Sequence, residues 1–167
     1  MQRWRNPSGS PYKTRRRSCR RRESRKFATA AALTSFQAGV AIRGKLTAAD
    51  PGNSQWQRDL SVSHSKIGAI EQAQGNLAAA LTSFQADMAI AQKLAAADPG
   101  NSEWQLDFVI SCWKVGNSKG DFLKSAERRA ILVRGLNTLE ALEKQGRLAP
   151  RAARWPTMFR AAIADLK

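Results

Sequence analysis

The chain has 167 residues, 43% of them apolar, which suffices for one domain with a sizeable core and argues against disorder by composition. Its formal charge of +15 is uneven: residues 1–27 carry eleven Lys/Arg against Glu23 alone, residues 28–115 are close to neutral, and residues 116–167 are again basic. No apolar run approaches the roughly 20 residues that span a bilayer, and Cys19 and Cys112 are too far apart to suggest a disulfide framework or a metal motif.

The first element is an arm. Residues 1–27 include KTRRRSCRRRESRK, and Pro7, Gly9 and Pro11 break regularity. Such a block reads as a disordered, solvated segment. A second reading is a polyanion tether, in which Arg15, Arg16, Arg17, Arg20, Arg21 and Arg22 bind nucleic acid without sequence choice and lose grip with salt. Basic residues ahead of a mild apolar stretch also suit an export signal. Residues 33–38, however, recur unchanged at 81–86, inside the folded part, so a cytoplasmic chain is expected.

A helix is expected over Ala28–Thr47, stopped by Asp50-Pro51-Gly52. Asn53 and Ser54 then supply a cap for a second helix, and Gly75-Asn76 a turn. The third helix places Leu77, Leu81, Phe84, Met88, Ala91 and Ala95 on one apolar stripe and ends at Asp98-Pro99-Gly100. Here the chain repeats itself: Leu33–Arg58 and Leu81–Leu106 agree at 19 of 26 positions, 48 residues apart. The next helix, capped by Asn101-Ser102, carries Trp104, Phe108, Cys112 and Val115 at helical spacing. GNSKGD (116–121) has no strand before it and reads as an inter-helix turn rather than a phosphate loop. A fainter third copy, APRAARW (149–155), puts Trp155 51 residues after Trp104 and leads into a capping helix over Pro156–Lys167. The units are therefore about 28–75, 76–123 and a divergent 124–167.

Ile67-Gly68, Gly75-Asn76, Ala80, Phe84 and Pro99 resemble the tetratricopeptide repeat pattern, most closely the long-helix bacterial variety with recurring DPGN loops. The repeat of this chain, 48 residues, is longer than the usual ~34 of that family. The resemblance implies an all-α fold, a short α-solenoid of antiparallel helix hairpins whose first helices line a groove. Counted from the packing glycines, Ser65, Lys66, Ala69 and Gln72 would face that groove, and then Trp113, Lys114 and Asn117. Lys66 and Lys114 would form a short ladder for a partner's carboxylates, with Trp113 as an exposed anchor.

Other candidates read as structure. His64, Cys112 and the later Ile163 share one repeat position, which marks packing rather than nucleophilic chemistry. Trp56, Trp104 and Trp155 are expected in the hairpin core, and Asp50 and Asp98 at helix ends. No cofactor, metal or enzymatic constellation is expected. The sequence thus points to a scaffold or adaptor that binds a peptide or helix of another protein, with nucleic-acid association through the arm as the alternative. The first helix lacks a hairpin partner, which predicts self-association or a longer array.

Overall fold

A computed structural model describes residues 31–166. The chain divides into two compact units, 1–35 and 36–167. Of the first, residues 31–35 are described, and they are helical. The arm, with Arg15, Arg16, Arg17, Arg20, Arg21 and Arg22, lies outside the described residues. All that follows concerns the second unit.

Helical residues 36–49 form α1. Five further α-helices follow: α2 (Ser54–Gln74), α3 (Leu77–Ala97), α4 (Ser102–Gly116), α5 (Ser125–Lys144) and α6 (Trp155–Asp165). A short 3-10 turn, Pro150–Ala152, precedes α6. The described residues contain no strand, and from α2 onward each helix packs against the next.

Local chemistry fixes the joints. Asp98 Oδ1 accepts from the Gly100 N–H at 2.9 Å, and Asn101 Oδ1 accepts from Glu103 and Trp104 at the start of α4. The earlier copy does the same, with Asp50 serving Gly52 and Asn53 serving Trp56. Each aspartate tightens the turn and each asparagine satisfies free N–H groups of the new helix. Gly75 closes α2 at φ 87°, a left-handed conformation that costs glycine little, and the Asn76 N–H returns to Glu71 O at 2.9 Å.

Packing follows the repeat. A Cβ on Gly68 would lie 2.7 Å from Phe84 and 3.1 Å from Ala80 O, so α2 and α3 touch where glycine has no side chain. The counterpart of Gly68, Gly116, approaches Leu132 in the same way, and Leu132 is the counterpart of Phe84. Element starts keep the 48-residue period: Ser54, Ser102 and Pro150 open corresponding elements within successive units, and Leu77 and Ser125 open the helices between them. The core runs from Ala80, Leu81 and Phe84 on α3 through Val109, Cys112 and Val115 on α4 to Leu132, Leu139 and Phe159.

Two expectations change. The final helix ends at Asp165, short of Lys167. The third unit keeps the 48-residue register, so the 51-residue match of Trp155 to Trp104 does not describe the packing. Pro150–Ala152 takes the place of the first turn of α4, which displaces the Pro–Trp spacing without shifting the helix faces.

Candidate functional site

α2 and α4 flank a cleft of about 230 Å³ whose floor is α3. The feature of its floor is Asp87, 4% exposed on the otherwise apolar side of α3. Ser61 of α2 donates to Asp87 Oδ1 at 2.5 Å, and Ser111 of α4 donates to Oδ2 at 3.0 Å. The Lys114 ammonium lies 3.8 Å from Oδ2 and donates a hydrogen bond to Ser65. Burial pushes the Asp87 carboxyl above its ordinary range, opposed by Ser61, Lys114, Ser111 and Ser65. At the cleft mouth Lys66 stands 5.4 Å over the Phe36 ring, and Arg58 donates to Asp107 at 2.8 Å. That hydrogen bond raises the Arg58 guanidinium above its ordinary value, against desolvation.

A second cleft, of about 350 Å³, lies between α4 and α6. It is lined by Val109, Ile110, Trp113, Trp155, Met158 and Phe159. Trp113 and Phe159 meet at 5.0 Å between ring centroids, tilted by 51°, an arrangement favoured by their ring quadrupoles. Met158 is 46% exposed and leaves apolar surface at the opening.

The two clefts are one site written twice. Each of the six residues lining the apolar cleft stands 48 positions after a residue lining the polar one: Ser61, Val62, Ser65, Asp107, Ile110 and Ser111. Ile110 lines both, so the clefts adjoin. Asp87 itself maps onto Gly135, where a Cβ would meet Phe159 at 2.5 Å and Cys112 at 3.0 Å. Four exchanges, Ser61 to Val109, Ser65 to Trp113, Asp87 to Gly135 and Ser111 to Phe159, turn a polar floor into an apolar one.

The residues read from sequence separate accordingly. Ser65, Lys66 and Lys114 line the polar cleft, and Trp113 the apolar one. Ala69, Gln72 and Asn117 line neither; Asn117 closes α4 and donates to Trp113 O. Trp113 is no freely exposed anchor, because it packs on Phe159 and the core. The two-lysine ladder is unequal, since Lys114 is engaged by Asp87 and Ser65. Trp56, Trp104 and Trp155 are partly buried rather than core, and Trp104 and Trp155 line the clefts.

Asp87, Arg58 and Ser111 escaped the sequence reading. The available signal was a carboxylate on an apolar stripe, at a position where the repeat changes from Gly39 to Asp87.

Cys112 is wholly buried, and burial pushes its thiol up to about 12, opposed by Arg134. His64 is half-buried, and desolvation holds its imidazole below the ordinary value against the pull of Asp87. Among the described residues no group of three His, Cys, Asp or Glu side chains is placed to hold a metal ion, and no helix is long and apolar enough to cross a membrane. No protein-family model, no curated protein and no solved structure matches the chain.

Proposed function

We propose that the second unit is a tetratricopeptide-like solenoid module that binds a segment of another protein in the paired clefts on α2, α4 and α6. The observation that carries this reading is the adjoining of a polar and an apolar cleft at Ile110. The close approaches at Gly68 and Gly116 support the repeat assignment, because they follow the small-residue packing of that family. An apolar cleft with an exposed methionine at its mouth suits a large apolar anchor. Lys66, which pairs with no described carboxylate, suits an acidic side chain beside it.

The test is selection of random peptides on the full-length protein, followed by affinity measurements with Met158→Glu and Lys66→Glu. A sequence consensus pairing an acid with a large apolar residue is expected, with binding lost in both variants and their melting temperatures unchanged. Peptides that bind both variants as well as the parent chain would sink the groove.

A further inference from the structure

Asp87 is a buried carboxylate on a floor that its counterpart position fills with glycine. Groups from two other helices face it. Ser61 and Ser65 come from α2 and Ser111 and Lys114 from α4, while Asp87 itself rises from α3. His64 of α2 is the other titratable group that feels it, and burial favours the neutral imidazole. Arg58 and Asp107 line the same cleft but satisfy each other at 2.8 Å. Asp87 is therefore the charge that holds Lys114. The hold is loose at 3.8 Å, and the Lys114 side chain keeps 31% exposure, so its flexible stem can reach the opening where Lys66 stands.

We propose that the cleft between α2 and α4 is an anion-binding subsite gated by a proton on Asp87. With the carboxylate ionised, the Lys114 ammonium is drawn to the floor and its charge is balanced there. A proton taken from solvent neutralises the carboxylate. Ser61 and Ser111 still hydrogen-bond to the neutral acid, because hydroxyl groups donate or accept as needed. The neutral acid no longer holds Lys114, and an incoming carboxylate or sulfate group draws its ammonium toward Lys66, so that both ammoniums act on the one anion. Burial places the gate above the ordinary carboxylate range. By reciprocity, a bound anion raises the proton affinity of Asp87 by the same factor. The gate rests on the groove reading for its natural ligand, an acidic side chain, but is measured without that partner.

The test is an NMR titration of the full-length protein at constant ionic strength, following the Asp87 carboxyl carbon and the Lys114 Cε, with and without sulfate. Sulfate keeps its charge over the range. Asp87 is expected to titrate above the ordinary carboxylate range, and the Lys114 signal to follow the same transition. Sulfate affinity read at Lys114 should rise about fivefold or more as Asp87 protonates. Lys114→Met should move the Asp87 midpoint further up, since it removes a cation that favours the ionised form. An Asp87 midpoint in or below the ordinary range overturns the gate. So does a Lys114 signal or sulfate affinity indifferent to the transition, or a midpoint unmoved by Lys114→Met. The titration of the parent chain needs no variant to fold. Failed peptide selection with a coupled titration removes the groove and leaves the gate, and the reverse removes the gate alone.

Discussion

Ser111 donates to Asp87 at 3.0 Å, and 48 residues later the same two positions are Phe159 and Gly135, packed so closely that a Cβ on the glycine would meet the ring at 2.5 Å. One backbone arrangement therefore serves two opposite chemistries. Where serines and a lysine surround the position, a carboxylate is satisfied. Where Phe159 and Cys112 press on it, a side chain larger than hydrogen is crowded out.

Exchanging the two chemistries should fail in a graded way. Gly135→Ala adds one methyl against Phe159 and Cys112 and should cost about 1–3 kcal/mol, the usual range for overpacking. Gly135→Asp adds a carboxylate with no hydroxyl or ammonium beside it, because the counterparts of Ser61, Ser111 and Lys114 are Val109, Phe159 and Ala162. That should cost roughly 3 kcal/mol or more, read as a fall in urea midpoint. Equal losses for the two variants would show that the second floor tolerates charge.

The pH dependence of stability carries the sign of Asp87. Its folded carboxyl binds a proton more tightly than the unfolded chain does, because burial dominates. Unfolding then releases a proton, so this group's contribution is most favourable at low pH. It is lost as pH rises from the ordinary carboxylate value to the folded one, and is constant above that. Each tenfold change in proton affinity is worth about 1.4 kcal/mol. Asp87→Asn removes the titration, so the stability of the variant relative to the parent should rise across that window and then level. Urea midpoints of both proteins between pH 4 and 8 measure it, and a variant that loses ground with rising pH contradicts the assignment.

These two cases mark what the sequence conveys. The helices, their joints and the 48-residue period are legible because Leu33–Arg58 and Leu81–Leu106 keep the residues that set caps, turns and close approaches. The third unit is obscured because Pro150 and Trp155 imitate the earlier loop spacing, whereas helix register is set by the apolar faces of α5 and α6. Lys66, Lys114 and Trp113 are placed by counting along a helix face. Asp87 is not, because counting apolar positions passes over a carboxylate whose partners come from two other helices.

Cys112 gives a separate check on burial. Its thiol is pushed up to about 12, so at pH 8 thiolate is scarce and the sulfur is enclosed. In the native protein a maleimide should leave Cys112 unmodified over hours, and denaturant should expose it within minutes. Mass spectrometry of the peptide carrying Cys112 distinguishes it from Cys19. Prompt native labelling would mean that α4 separates from α5 far more often than this packing permits.

Trp113 combines two roles that substitution can separate. Its ring packs on Phe159 and also lines the apolar cleft, so Trp113→Ala removes core contact as well as cleft surface. The ring is only partly buried, so the cost should fall below that of a fully buried aromatic, about 2 kcal/mol. For a chain of this size that lowers the melting temperature by roughly 4–8 °C. Trp113→Phe keeps an aromatic against Phe159 and should recover most of the loss, while leaving a shallower wall for a ligand. Met158→Glu touches the exposed mouth and should leave melting within about 2 °C of the parent. Calorimetry on the three variants, set beside peptide affinity, resolves the two roles. Should affinity track melting temperature through all three, Trp113 acts as core alone, and the apolar cleft is packing rather than a docking surface.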